Sequence, residues 1–363
     1  MRIALCSDYF YPKIGGITTH IEGLARALEE RGHEVVIITK KAKFDDRQHG
    51  LNVIRMNSIF KTSRVLDIPQ TSELERRIKE FKPDVIHGHH AFSPISLLSI
   101  SAGKKLGIKT VLTNHSIQFL YDFDYLWKSS SYILFPYREY INNADRIIAV
   151  SRAAAKFISH FTSKNVEIIG NAINVNEFSP DVKTFDGKSV LFVGRFTYRK
   201  GIYVLLEAFQ KVKQEVENAH LTLVGSGYFS QIADLLIRTL NLGKNVSIVG
   251  KVQKEKLVEI YQNSHVFVLP SIYGESFGIV LLEAMASKTP VIASDDGGIK
   301  ELIKNGKTGI IVKKGNTEEL SEKIAELLLD QNLCKKISAA AFREVKRYDW
   351  KNIVRKIEDV YKK

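Results

Sequence analysis

Two α/β domains in succession, each a largely parallel sheet flanked by helices, are predicted by three features of this sequence. A chain of 363 residues is long for one hydrophobic core and of ordinary size for two. Short apolar runs alternate with longer stretches of helical period, the pattern of parallel-sheet units. The alternation runs through the first half and then restarts near residue 189. No repeat of roughly 20 to 50 residues is present, so a solenoid is excluded.

In the first half, Arg2–Ser7 reads as a strand that Asp8 ends. Ile17–Glu30 then places Ile21, Leu24, Ala25 and Leu28 on one helical face. Gly32 stops that helix, and Glu34–Thr39 is the second strand. Val85–His87, Thr110–Thr113, Arg146–Val150 and Glu167–Ile169 continue the set. Asn174–Lys188, with Pro180, two Asp and a Gly, reads as a linker and divides the chain into residues 1–176 and 177–347. Beyond it come the strands Ser189–Val193, Leu221–Val224, Val246–Val249, Val266–Leu269, Val291–Ala293 and Gly309–Val312. Helices are expected at Gly201–Val216, Lys254–Asn263, Gly278–Ala286 and Thr317–Leu329. Both halves therefore read as Rossmann-like, and ligands of such sheets bind at the carboxyl ends of the strands. Two of them facing each other would place the site in the cleft between.

Composition narrows the function. With 44% hydrophobic and 26% charged residues the chain is globular in character. Cys6 and Cys334 stand far apart with no Cys/His cluster near them, which argues against a disulfide framework or structural zinc and for a reducing cytoplasm. The first apolar run is too short for a signal peptide, and no run reaches the roughly 18 residues of a membrane span. The net charge of +13 is even: 24 basic against 18 acidic residues up to residue 180, and 29 against 22 beyond it. That evenness and the lack of a recognisable module exclude nucleic acid as the partner. A Lys-rich solvated surface accounts for most of the excess. An anionic substrate and an anionic membrane surface both stay compatible with it.

The stretch from Gly274 to Ala286, GESFGIVLLEAMA, is the most informative. It follows a strand and opens a helix, so the amides of Phe277, Gly278 and Ile279 can donate to phosphate oxygens. Gly278 has no side chain to hold a phosphate away. Glu275 precedes the helix, where a carboxylate either accepts sugar hydroxyls or complements the helix N-terminus. Glu283 stands in a nearly all-apolar helix, a setting in which a carboxylate needs a partner such as the two hydroxyls of a ribose.

Arg195, Arg199 and Lys200 form a second element, VGRFTYRKG, again between a strand and a helix. Cations before a helix oppose its dipole, and a bound diphosphate would reverse the sign of that cost. Arg195 and Lys200 could then neutralise a leaving phosphate without a metal ion. Gly15 and Gly16 form the third element, at the mouth of the first helix, where they allow close approach by a ligand or simply make a turn. The full dinucleotide fingerprint Gly-x-Gly-x-x-Gly is absent, which counts against a dehydrogenase. His87, His89 and His90 lack Asp, Glu or Cys at metal-ligand spacing, so no metal is expected. His115 follows a strand and reads as a polar contact to a transferred sugar.

With these residues in place, the sequence resembles glycosyltransferase family 4, over essentially its whole length. Gly15-Gly16, His115, Arg195 with Lys200, Glu275 to Glu283, and Asp295-Asp296-Gly297-Gly298 with Glu301 carry the likeness. The sequence is similar to the catalytic subunit of phosphatidylinositol N-acetylglucosaminyltransferase, through SDYFYP at 7–12, Gly15-Gly16, RGHEV at 31–35 and TNHS at 113–116 in the first half and YRKGI at 198–202 just beyond it. The resemblance implies the GT-B fold, with residues 348–363 packing back on the first domain and Tyr348-Asp-Trp350 near a hinge. It implies retaining transfer of a hexose or N-acetylhexosamine from UDP-GlcNAc, UDP-Glc or GDP-Man, without cofactor or metal. Gly15 and Gly16 would lie against the donor phosphates, Arg195 and Lys200 would bind the diphosphate, Glu275 the sugar, Glu283 the ribose and His115 the reacting sugar. Phe277, Gly278 and Ile279 complete the donor site. Ser287-Lys288 departs from the small residue and Gly usual in the family, and the subfamily's membrane-anchored setting is not matched by a span here.

The acceptor is expected to be lipid-linked or otherwise anionic, with peripheral association at the cytoplasmic face of a membrane. This rests on the charge and on the aromatic segment Phe119 to Tyr140, flanked by Lys61, Arg64, Arg76, Arg77 and Lys79. The same segment also reads as ordinary core-facing helix. Two further functions suit the architecture: a nucleotide-sugar epimerase, and a catalytically silent nucleotide-sugar binder. The Glu275 to Glu283 block speaks against the first, and the presence of Arg195, Lys200 and Glu275 against the second.

Overall fold

β1 (Arg2–Cys6) shows how the apolar runs of this chain become strands. Ile3 and Leu5 enter one core with Ile21 and Leu24, while Ala4 and Cys6 enter another with Val36 and Ile78. A strand covered on both faces is a continuous apolar run, and helices must supply both covers. The structure is a computed structural model and describes residues 1–13, 15–41, 50–62, 66–117 and 135–363. It divides into two units, Met1–Ala172 with Trp350–Lys363, and Ile173–Asp349.

In the first unit β2 (Glu34–Lys40) and β3 (Val53–Met56) follow β1, and a hairpin of β4 (Ser58–Thr62) and β5 (Leu66–Pro69) pairs antiparallel beside the main sheet. β6 (Val85–His89), β7 (Lys109–Asn114), β8 (Arg146–Ala149) and β9 (Val166–Ile168) complete a seven-stranded sheet of order β3-β2-β1-β6-β7-β8-β9. Every pair in it is parallel. The chain's last helix, Trp350–Lys362, lies in this unit, with Ile353, Val354, Ile357 and Tyr361 in the core that holds Ile3 and Leu5. Gly23 permits its approach: a Cβ there would fall 2.4 Å from Trp350 Nε1. Glu358 fastens the same helix by accepting from Arg31 Nε and Nη2, both at 2.7 Å, and lies 2.8 Å from His33 Nε2.

The second unit is a six-stranded parallel sheet of order β12-β11-β10-β13-β14-β15. Its strands are β10 (Ser189–Val193), β11 (His220–Val224), β12 (Val246–Gly250), β13 (Val266–Leu269), β14 (Val291–Ser294) and β15 (Ile310–Val312). The strand order reverses at β1 in one sheet and at β10 in the other. At such a switch point the loops leaving neighbouring strands diverge to opposite faces and open a crevice. The crevices lie after β1 and β6, and after β10 and β13.

Several expectations are corrected. The helices expected at Gly201–Val216 and Gly278–Ala286 begin one residue later, at Ile202 and Ile279, because Gly201 and Gly278 stand at φ 67° and 87°. That left-handed region suits glycine and lies outside helical geometry. The segment read as a linker contains a short helix, Val175–Phe178, and Lys183 pins it by donating to Gln262 O at 2.7 Å and Thr289 Oγ1 at 2.9 Å. The compact units divide at Ala172/Ile173 and Asp349/Trp350, beside the expected 176/177 and 347/348. There the two chain crossings are bonded, Ile173 N to Tyr348 O at 3.0 Å and Val175 N to Asp349 Oδ2 at 3.2 Å. β3, the hairpin, and the helices Thr71–Phe81, Pro94–Leu106, Ser230–Thr239 and Gln331–Val345 were not anticipated. Cys6 and Cys334 are both buried free thiols. Among the described residues no helix is long and apolar enough to cross a membrane.

Candidate active site

The loops after β10 and β13 are brought together by glycine. A Cβ on Gly201 would lie 2.0 Å from Pro270 O, so only glycine lets the turn after β10 close on the segment leaving β13. Ile272 N bonds Arg199 O at 2.8 Å across the same seam. Just before Gly201 a single 3-10 turn, Tyr198–Lys200, faces two cations inward, Arg199 and Lys200, 6% and 9% exposed.

Lys200 Nζ reaches Glu275 Oε2 at 2.5 Å, and Ser271 Oγ donates to the same oxygen at 3.2 Å. Arg199 Nη1 donates to Gly274 O at 3.0 Å. Asp296 Oδ2 accepts from Glu275 N at 2.8 Å, and Gly298 N donates to Glu275 O at 2.9 Å, so the loop after β14 fixes the backbone of Glu275 from the other side. Burial by itself would raise the Glu275 carboxyl; the charges of Lys200 and Arg199 outweigh it and hold the group below its ordinary 4.5. For Lys200, burial lowers the ammonium against the pull of Glu275. The result is a buried ion pair with both members charged, a costly arrangement that needs excellent geometry.

Beyond Glu275 the chain turns at Gly278 into the helix Ile279–Ala286. Leu281 N takes Gly278 O at 2.9 Å, and the earlier amides have no intrahelical acceptor. Phe277 is buried, packed edge-on against Tyr348 with ring centroids 5.9 Å apart. Glu283 is 7% exposed and accepts from Tyr261 Oη at 2.8 Å. Burial pushes its carboxyl up to about 7, opposed by the Tyr261 bond and by Lys254.

Of the residues expected from sequence, Lys200, Glu275, Phe277, Gly278, Ile279 and Glu283 lie along this one seam. Arg195 is exposed on the same turn, close enough for its charge to depress the Lys200 ammonium. Gly15, Gly16 and His115 belong to the first unit. Gly15 is extended at φ 170°, and a Cβ there would meet nothing within 4 Å, so neither backbone nor packing demands glycine. Gly16 begins the helix Gly16–Glu29. His115 is 4% exposed and lies just beyond β7.

Sequence reasoning passed over Ser271, Tyr261 and His20, and gave Arg199 and Asp296 no role at the site. Tyr261 comes from another helix, and nothing local marks it as the partner of Glu283. The metal expectation meets a different geometry: one ring nitrogen each from His20, His89 and His115 lies within 4.8 Å of the other two. These ligands come from three separate segments, which is why spacing along the chain did not reveal them. Of the aromatic segment, Phe119, Tyr121, Phe123, Tyr125, Trp127, Lys128 and Tyr132 lie outside the described residues, as does Arg64. Tyr137, Arg138 and Tyr140 stand on the helix Phe135–Asn142, with Tyr140 39% exposed.

Two Rossmann-like units of parallel sheet, one after the other along the chain, define the class as a GT-B glycosyltransferase. Residues 14–177 match the family described as Glycosyltransferase Family 4, and residues 176–344 the family described as Glycosyl transferases group 1. The chain is 30% identical to an uncharacterized glycosyltransferase of Methanocaldococcus jannaschii, covering all of this chain and 98% of that one. It belongs to the family 4 glycosyltransferases. It is also similar, at 27% identity over 99% of this chain and 96% of the other, to the phosphatidyl-myo-inositol mannosyltransferase of Mycobacterium leprae. Two solved structures share the fold at a TM-score of 0.80. One is the sucrose-phosphate synthase of Thermosynechococcus elongatus, at 24% identity over 99% of this chain and 98% of that one. The other is HepE of Anabaena in complex with UDP and glucose, at 19% identity over 99% of both chains.

Proposed function

We propose that this chain is a retaining, metal-independent hexosyltransferase that moves a sugar from a nucleotide diphosphate donor to a hydroxyl of an inositol phospholipid. The observation that carries the donor half is the buried Lys200–Glu275 pair, at 2.5 Å, beside the open helix start at Gly278. An ammonium has three donors and one goes to Glu275, which leaves protons for the oxygens of a diphosphate. Arg195 adds a second cation, and the amides of Phe277, Gly278 and Ile279 add fixed dipoles. Together they stabilise the charge that builds on the leaving group, the work a metal ion does elsewhere. Glu275 receives the hydroxyls of the transferred sugar, Glu283 the ribose hydroxyls, and His115 the sugar near its reacting carbon. Gly15, a glycine that the fold does not require, and Gly16 keep room for the donor.

The acceptor half rests on the mannosyltransferase relative, whose name gives phosphatidyl-myo-inositol as its acceptor, on the charge of +13, and on exposed Tyr140. That relative also favours mannose as the sugar, and a place at a membrane surface follows from the acceptor. Holding the lipid hydroxyl on the face from which the diphosphate departs gives retention without a carboxylate nucleophile.

The test is a thermal-shift and transfer screen of UDP-, GDP- and ADP-sugars in the presence of EDTA, with and without phosphatidylinositol vesicles. One nucleotide sugar is expected to raise Tm, to lose that effect in Glu283→Ala, and to label the lipid with the anomeric configuration of the donor. A protein that no nucleotide sugar stabilises would overturn the donor assignment; a donor hydrolysed but never transferred to lipid would overturn the acceptor.

A further inference from the structure

The first unit contains buried nitrogen atoms that the transfer does not account for. His20 lies in the second turn of the helix after β1, His89 ends β6, and His115 follows β7. β1, β6 and β7 are neighbours in the sheet, so the three residues converge at adjacent strand ends. One ring nitrogen of each lies within 4.8 Å of the other two. His20 is 2% exposed, and neither of its ring nitrogens has a hydrogen-bond partner. His89 is fully buried, its Nε2 equally without a partner and its Nδ1 3.3 Å from His115 Nε2. A buried polar atom left unpaired is costly, and a buried imidazole with both nitrogens unpaired is incomplete without a ligand.

The chemistry of the set says which ligand. Burial holds all three rings neutral, His20 at about 3 and the other two well below 6.5. Neutral imidazoles offer lone pairs, and among the described residues no thiolate or carboxylate joins them. Three nitrogen donors of this kind suit zinc, cobalt, nickel or copper, and not magnesium or calcium. Tetrahedral ligands about 2.0–2.1 Å from a metal stand roughly 3.4 Å apart, so the rings need close in by only about an ångström. Their surroundings are aromatic: His87 lies 4.1 Å from His89 and Trp350 5.2 Å from His20, centroid to centroid.

We infer that His20, His89 and His115 form a site for one transition-metal dication of the zinc class, and that a metal bound there inhibits transfer by occupying His115. The inhibition rests on the role proposed for His115; the binding does not. Three protein ligands leave a fourth position for water or an anion.

Metal-stripped full-length protein titrated with Co²⁺ provides the test. The expected result is the visible absorption of tetrahedral Co²⁺ at one ion per chain, displaced by Zn²⁺ and untouched by Mg²⁺. His20→Asn should weaken binding by more than about a hundredfold, beyond what loss of an outer-shell contact costs. His160→Asn, an exposed histidine of the same unit, should bind as wild type. Circular dichroism of both variants establishes that they fold. No Co²⁺ spectrum, or one that His20→Asn leaves intact, would overturn the site. In the transfer assay Zn²⁺ should inhibit wild type and spare His20→Asn. Zn²⁺ that binds without inhibiting, or that restores activity lost to EDTA, would overturn the inhibitory role. Should no transfer be found at all, the Co²⁺ spectrum still decides whether the site exists.

Discussion

The two units bury polar side chains at the ends of similar strands and treat them in opposite ways. In the first, His20, His87, His89, His90 and His115 are all nearly or fully buried, and burial keeps each neutral. In the second, Lys200 and Glu275 are buried as well and form an ion pair. The difference is the counter-charge. Desolvation acts on every one of these groups, and only where an opposite charge sits at hydrogen-bond distance does the ionised form survive. A neutral cluster can accept a cation or a hydroxyl, whereas a charged pair with spare donors can accept an anion. One fold used twice thus offers two kinds of chemistry.

Breaking the charged pair gives the largest expected effect. Lys200→Met strands a buried carboxylate and Glu275→Gln strands a buried ammonium, each at a cost of about 3–5 kcal/mol in stability. The double variant should lose less than the sum, because it leaves no uncompensated charge. Urea unfolding of the four proteins reads the coupling; strict additivity would mean that the pair does not hold itself charged. Transfer should fall in Lys200→Met by at least about a hundredfold, the scale set by removing one stabilising donor.

Glu283 sharpens the contrast, because it is a buried carboxyl in the second unit with no cation bonded to it. Its native value of about 7 lies above the ordinary 4.5, so the folded state holds a proton that the unfolded chain has lost. Stability from this group is fully present below pH 4.5 and declines as pH rises towards 7. Glu283→Gln should therefore be more stable than wild type at pH 8, by up to about 3 kcal/mol, and nearly equal to it at pH 4.5. Nucleotide binding should run the other way. Ribose hydroxyls donate to the carboxylate, so affinity is expected to rise between pH 5 and 8 in wild type and stay level in the variant. Parallel pH profiles for the two proteins would remove Glu283 from the ribose site.

Much of this was legible in the sequence, for identifiable reasons. Most inner strands of both sheets announced themselves because each is covered on two faces and reads as an apolar run. Lys200 and Glu283 were legible because each violates a local preference, a cation before a helix and a carboxylate in an apolar helix, and Glu275 and Gly278 because they stand at a helix start that follows a strand. Their partners were not. Ser271, Tyr261 and Asp296 obey local rules and meet the site only through tertiary packing. His20 is hidden the same way, as a polar residue on the buried face of a helix with Ile21, Leu24 and Leu28. The edge strand β3 and the hairpin after it are of four or five residues each, too short for periodicity to show them.

The smallest expected effect concerns the polar groups that fasten the terminal helix to the first unit. Tyr361 Oη lies 2.7 Å from His87 Nδ1, and His87 Nε2 lies 2.6 Å from Thr113 Oγ1, a chain of bonds wholly within the core. Tyr361→Phe keeps the ring and its packing and leaves one nitrogen of a neutral histidine unpaired, at about 1–2 kcal/mol. Glu358 fastens the helix differently, by charge. The bonds from Arg31 and His33 hold its carboxyl at about 2, so its contribution is complete above pH 4.5 and is lost as pH falls towards 2. Arg31 is 38% exposed and partly screened by water, so Glu358→Gln should also cost only about 1–2 kcal/mol at pH 7. The two variants then separate on pH. The deficit of Glu358→Gln should shrink from pH 4.5 to 3.5, on the falling side of its own titration, and the tyrosine variant's deficit should stay level there, above the value of about 3 to which burial lowers His87. Thermal unfolding of both variants across that range, referenced to wild type, distinguishes a helix held by charge from one held by packing and a neutral bond.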